Sequence, residues 1–342
     1  MSKASESKER VQRVLKGEEV DRPPASTWRH FFDRETTIDG EVESLIEFQN
    51  AYEWDFCKIN LRAHYACEDW GFEALYSSDP LVPPWGPGTI KRTPIKHAKD
   101  WQKLERLNPA KGSFGAHLDV IRRLRNAFGP ELPLLMTLFT PLGTAKRMVE
   151  SEDILQGHMD ERPDAVIAAL EAITETLVDY VPLCLEAGAD GLFYATVGWA
   201  TYDQMTDEQY SKFGRPYDLP VICAAEDGWF NALHVCRSNI MLQALSDYPV
   251  HAFSWDAQDP GNPTLEEGLK ITSKAVIGGI PPYEIIADLR PDEVKAITRD
   301  SLRRMDGKQF ILGSGCDVPA DTPPENIEAL MRVVRARGKR VS

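Results

Sequence analysis

His234 and Cys236 stand two residues apart at the end of a short apolar run, Phe230-Asn-Ala-Leu-His-Val-Cys236. On a strand, side chains alternate with a period of two, so both point to one face. An imidazole and a soft thiolate on one face form a donor pair suited to zinc. A second apolar run, Phe310-Ile-Leu-Gly-Ser-Gly-Cys316, also ends in a cysteine. Asp256 follows a third run, Val250-His-Ala-Phe-Ser-Trp255. If these ends converge, His234, Cys236 and Cys316 supply three zinc ligands. The fourth position falls to Asp256, a water or a substrate atom. Two thiolates cancel the ion's charge, so the site is a poor water activator but holds a nucleophilic thiolate. The catalysis is then zinc-centred, with no separate acid or base. Either cysteine alone reads better as core; the joint placement at run ends is what points to metal. Cys57, Cys67, Cys184 and Cys223 lack such a pairing and are assigned structural roles.

The elements that must position these groups follow from apolar runs separated by helical stretches. Strand candidates lie at 25–28, 55–61, 132–138, 190–195, 230–236, 250–255, 275–280 and 309–315. Helical stretches alternate with them, among them 41–52, 118–128, 165–187 and 264–272, and the first helix covers 5–16 with Val11, Val14 and Leu15 on one side. Eight strands with helices between them indicate a single (β/α)8 TIM barrel over residues 1–342, with functional groups at the C-terminal strand ends. A doubly wound sheet is the competing fold, but no Gly-x-Gly-x-x-Gly follows a strand. A Pro/Gly-rich insertion, residues 77–109, includes Asp79-Pro-Leu-Val-Pro-Pro-Trp-Gly-Pro-Gly88 and reads as an ordered flap near the barrel mouth.

With 342 residues the chain can bury a large core, and its formal net charge of −14 argues against nucleic acid or an anionic membrane as partner. The basic stretch Arg332 to Arg340 reads as a helix end complementing its own dipole. The polar start MSKASESKER has no signal-like apolar core, and no apolar run reaches membrane-spanning length. Six cysteines without an export signal place the expected location in the cytoplasm, with free thiols.

Two segments carry a family resemblance. Glu9-Arg-Val-Gln-Arg-Val-Leu-Lys-Gly-Glu-Glu-Val-Asp-Arg-Pro-Pro24 resembles the entry helix of the uroporphyrinogen decarboxylase superfamily. Leu312-Gly-Ser-Gly-Cys-Asp-Val-Pro-Ala-Asp-Thr-Pro-Pro-Glu-Asn326 resembles its final strand and helix cap. The family fold is a (β/α)8 barrel. Its decarboxylases hold a tetrapyrrole with an Arg-Gln-Ala-Gly-Arg stretch and an aspartate after the second strand. Here those regions read Arg29-His-Phe-Phe-Asp33 and Lys58-Ile-Asn-Leu-Arg-Ala-His64, with Asn60 where the aspartate would stand. The branch of corrinoid-linked methyltransferases has a zinc motif of His-x-Cys with a distant Cys. His234, Cys236 and Cys316 match it, and Asp256 is nearest in register to an acidic fourth ligand.

The resemblance therefore implies methyl transfer between a corrinoid (cobalamin, free or on a partner protein) and a small substrate, either a thiol acceptor or a methoxylated donor. The chain has no Asp-x-His-x-x-Gly corrinoid motif, so the corrinoid comes from outside. The resemblance leaves room for a homodimer. The expected pocket wall is aromatic, from Trp28, Tyr194 and Trp255 with Phe31, Phe32, Tyr65, Phe139 and Trp199. His30, Asn60 and His64 are its expected polar contacts. The alternative is a metal-free lyase on a carboxylated substrate, gripped by Arg29, Arg62 and His30.

Overall fold

The computed structural model describes residues 3–83, 88–282 and 284–338. Eight parallel strands form its centre: β1 (Ala25–Ser26), β2 (Cys57–Ile59), β3 (Leu134–Phe139), β4 (Gly191–Ala195), β5 (Ala232–His234), β6 (Ala252–Ser254), β7 (Ala275–Ile280) and β8 (Phe310–Ser314). From β2 to β8 each pairs with its sequence neighbour, and β8 pairs with β1. The Asp55 N–H donates to the Ala25 carbonyl at 2.9 Å, and the Ser26 hydroxyl to the Phe56 carbonyl at 2.8 Å. These two bonds bring β1 against β2 and close the ring. All eight expected strands are present, most with hydrogen-bonded cores shorter than the apolar runs that mark them. Parallel strands demand long crossovers, and the helices between them supply these.

The period of two divides the apolar residues into two layers. Trp28, Phe56, Leu135, Phe193, Ala232, Ala252, Ile277 and Ile311 fill the barrel interior. Their neighbours Leu134, Leu192, Leu233, Phe253, Val276 and Leu312 face out, under the helices. The first helix (Lys3–Leu15) lays Val11 and Val14 into the interior cluster and so stoppers the N-terminal end of the barrel. Burying each of those valines contributes roughly 1.5–3 kcal/mol.

Beside that stopper lies a polar lock on Asp55, which is fully buried. Its carboxylate accepts from Ser7 Oγ (3.0 Å), Arg10 Nη1 (2.7 Å), Arg22 Nη1 and Nη2 (2.6 and 3.1 Å) and the Ala25 N–H (2.8 Å). A charge with this many donors can be held out of water.

The Pro/Gly-rich insertion is structured where it is described. Ile90–Arg92 pairs antiparallel with Glu73–Ala74, and a short 3-10 helix covers Ala98–Lys103. Residues 84–87, within the expected flap, and 339–340, within the basic C-terminal stretch, lie outside the described residues.

Candidate metal centre and cavity at the barrel mouth

His234 is the last residue of β5 and points into the barrel with Ala232. Only 3 % of it is exposed. Its Nδ1 lies 3.1 Å from Ser254 Oγ on the next strand, and its Nε2 is buried with no hydrogen-bond partner. In the tautomer whose Nδ1–H donates to the serine, the Nε2 lone pair is free for a metal. Phe193 and Trp28 wall the ring at centroid distances of 5.3 and 6.4 Å.

Cys236 lies two residues past the strand end, where Arg237 turns the chain with a left-handed φ of 77°. Cys316 lies two residues past the end of β8. A Cβ on Gly315 would come within 2.6 Å of Asp256 Cα, so glycine is what lets the chain turn there. The ligand atoms of His234, Cys236 and Cys316 all lie within 4.8 Å of one another. A tetrahedral ion with bonds of about 2.0–2.3 Å spaces its ligand atoms roughly 3.3–3.8 Å apart, so the three donors fit one.

The two thiols are not equivalent. A hydrogen bond from Cys316 holds the Cys236 thiol below its ordinary pKa against the effect of burial, with help from the Arg147 charge and the Val197 N–H. That bond to Cys236, together with burial, pushes Cys316 up. Val197 itself has a φ of 53°, a strained conformation for a β-branched residue and one that aims its N–H at a functional sulfur.

A cavity of about 400 Å³ opens over the thiols, lined by His30, His64, Arg147, Val197, Cys236 and Cys316 among others. Ile90 of the insertion contributes to its wall, which puts that segment beside the site. Beneath it an inner pocket of about 80 Å³ reaches Trp28, His30, Asn60, Phe139 and His234. A larger cleft, about 680 Å³, lies at the opposite end of the barrel beside Arg10, Asp21 and Arg22. It holds none of the ligand atoms above, so size alone would misdirect the search.

The expected pocket residues divide. Trp28, His30, Asn60 and His64 line the two cavities. Tyr194 does not: its hydroxyl donates to the Asp218 carbonyl at 3.3 Å, in the outer layer. Trp255 does not either, since its indole N–H donates to the Pro263 carbonyl at 2.8 Å under the helix of Leu265–Thr272. The register is the reason. His234 is paired with Ala195 on one side and Ser254 on the other, so those two share its inward face and their neighbours Tyr194 and Trp255 face out.

Asp256 is likewise outside the three-ligand cluster; its carboxylate accepts from the Gln258 N–H at 3.0 Å. Two acids line the cavity with the thiols, Glu150 and Asp317, the latter 3.6 Å from the Lys58 ammonium. Lys58, which also donates to Asn60 Oδ1, sits over the rings of Trp28 and Phe193 at 5.5 and 5.1 Å. Lys58, Arg147 and Asp317 were not legible as site residues. The first and third residues of the pattern Lys58-Ile-Asn60 carried a usable signal, because Lys58 and Asn60 share a strand face. Arg147 carried none.

The chain belongs to the uroporphyrinogen decarboxylase (URO-D) family, whose pattern matches residues 83–337. Among curated proteins it is similar to the methylcobamide:CoM methyltransferase MtbA of Methanosarcina mazei, with 23 % identity over 96 % of this chain and 97 % of that protein. It is also similar to the uroporphyrinogen decarboxylase of Prochlorococcus marinus, with 23 % identity over 79 % of this chain and 73 % of that one. Among solved structures, a methyltransferase from Methanosarcina mazei superposes with a TM-score of 0.82 at 20 % identity, covering 98 % of this chain and 99 % of that one. The fold is thus the barrel of that structure.

Proposed function

We propose that this chain is a zinc-dependent methyltransferase that moves a methyl group between a corrinoid and a thiol, the corrinoid arriving free or on a partner protein. One observation carries the reading: the unpartnered Nε2 of buried His234 meets two thiols within 4.8 Å at the barrel mouth. The activity of the MtbA relative, similar along 96 % of this chain, supports the same chemistry.

His234, Cys236 and Cys316 would hold the ion. When bound, zinc supplies Lewis acidity that keeps a coordinated thiol deprotonated and still nucleophilic at neutral pH. Ser254 orients the His234 ring, and Trp28 and Phe193 keep water from its flanks. Val197 and Arg147 favour the anionic form of Cys236, the form that ligates a metal. Lys58 offsets the Asp317 carboxylate beside the two thiols, which limits the negative charge facing an incoming thiolate.

The lyase alternative asks Arg29, Arg62 and His30 to grip carboxylates. Arg62 is instead bidentate to Glu68 at 2.7 and 2.8 Å, and His30 Nδ1 lies 2.9 Å from Glu35. Two of the three grips are therefore already engaged, which favours transfer.

The test is metal analysis of the purified protein, paired with thiol-dependent demethylation of methylcobalamin followed by cobalt absorbance. About one zinc per chain is expected, with both metal and demethylation lost in Cys236→Ser. Full demethylation by a metal-free preparation would sink the reading.

A further inference from the structure

The two members of the His-x-Cys pair are held in different ways. His234 ends β5 and is paired on both flanks, with Ala195 and Ser254. The Val235 N–H still donates to the Ser254 carbonyl at 2.8 Å. Cys236 lies past the last ladder pair, on a loop. A loop places a side chain less tightly than a strand does, so a ligand there needs a brace.

The backbone around Cys236 is strained. Of the five non-glycine residues with left-handed φ among the described residues, three frame this cysteine: Val197 (53°), Arg237 (77°) and Asn239 (53°). Asparagine enters that region readily. Arginine and valine stay there only when their surroundings hold them.

Arg237 is held at both ends. Its guanidinium grips Glu152 as a fork, Nη2 to Oε1 at 2.7 Å and Nη1 to Oε2 at 3.2 Å. Its carbonyl accepts from Asn262 Nδ2 at 2.8 Å, and the same amide donates to the Asp256 carbonyl at 3.0 Å. Glu152 is a firm anchor. It opens the helix Glu152–Glu161, where the dipole favours an acid, and it also takes Lys146 at 3.1 Å and Gln204 Nε2 at 3.2 Å. Between its two ends the arginine arm crosses the turn at Val197 and Gly198. A Cβ on Gly198 would come within 2.7 Å of Arg237 Nε and 2.9 Å of its Cδ, so glycine is what lets the arm lie there. Val197 is the residue whose N–H points at the Cys236 sulfur. The arm therefore braces Cys236 from two sides, through its own backbone and through the Val197 turn.

We propose that Arg237, anchored on Glu152, is a positioning residue that keeps the Cys236 sulfur facing His234 and Cys316. The inference rests on the reading that these three residues hold a metal. An exposed ion pair contributes little to stability by itself, and the Arg237 side chain is 47 % exposed. Cutting a pair of that kind would leave the metal site untouched. Cutting a brace moves one sulfur of the two out of the ligand set while the fold survives.

The experiment is titration of the purified, chelator-treated protein with Co2+, which takes the same ligands as zinc and reports bound thiolates by their charge-transfer absorption. Zinc competition and urea unfolding are measured alongside. Wild type is expected to show two sulfurs on the metal. Arg237→Ala should lose about half of the sulfur-to-cobalt absorption and bind zinc about 10- to 100-fold more weakly, with an unfolding midpoint close to wild type. Arg237→Lys should recover part of both, because an ammonium reaches Glu152 without the fork. Glu152→Gln, on a separate element, should shift the cobalt spectrum in the same direction. The double variant should be no worse than Arg237→Ala alone, since both changes cut one connection. Wild-type spectrum and affinity in Arg237→Ala, or losses that add in the double variant, overturn the proposal and leave the metal reading standing. A wild-type protein that takes up neither cobalt nor zinc overturns both.

Discussion

The Asp55 lock and the barrel mouth treat buried polar groups in opposite ways. At the N-terminal end, Asp55 is fully buried and accepts from two arginines, a serine and a backbone amide. At the mouth, His234 Nε2, His64 Nδ1 and Asn60 Nδ2 are buried and have no hydrogen-bond partner. A group left in that state costs roughly 1–3 kcal/mol. The first arrangement is complete without a ligand and stabilises the fold. The second is incomplete until a ligand supplies the missing partners, and it lies at the strand ends where barrels carry their chemistry.

Removing the lock should break the comparison most sharply. Asp55→Ala leaves Arg10 with Asp21 alone, Arg22 with the Pro23 carbonyl and the Ala25 N–H without its acceptor, and should destabilise the protein by about 3–5 kcal/mol in urea unfolding. Metal content and activity per folded molecule should not change; a selective loss of activity would mean that the two ends are coupled.

The reverse result is expected at the mouth. Ser254→Ala frees the His234 ring from its Nδ1 partner and should weaken metal binding about 10- to 100-fold, with little change in unfolding. Competition with a chelator measures it.

The mouth should also make stability depend on pH. His64 has its folded pKa pushed down to about 2 from the usual 6.5, so between those values the unfolded chain binds the extra proton. Stability therefore rises with pH up to about 6.5 and falls as pH drops below it. Comparing wild type with His64→Gln at pH 7.5 and at pH 5.5, the difference in unfolding free energy should shift by about 1.4 kcal/mol in favour of the variant at the lower pH. No shift would mean that the imidazole is protonated in the fold.

The smallest effect belongs to Tyr194→Phe. It removes one hydrogen bond in the outer layer, about 1 kcal/mol of stability, and should leave methyl transfer at its wild-type rate. A loss of activity would return Tyr194 to the mouth.

Much of the architecture was legible because parallel strands buried on both faces read as short apolar runs, and these are local features. His234, Cys236 and Cys316 stood out for the same reason, each at or just past the end of such a run. Tyr194 and Trp255 were misjudged because they were chosen by residue type near a strand end. Which face a residue takes is decided by register against its neighbours, and the pairing of Ala195, His234 and Ser254 turns those two aromatics outward.

The chain by itself determined the number of strands, the identity of the three candidate ligands and the apolar stopper of Val11 and Val14. All of these rest on spacing within one element, where backbone geometry fixes direction. Folding decided the rest. It set Lys58 against Asp317 and kept Asp256 out of the ligand cluster. Those outcomes depend on which distant groups meet at the closing of the ring, and no local period encodes that meeting.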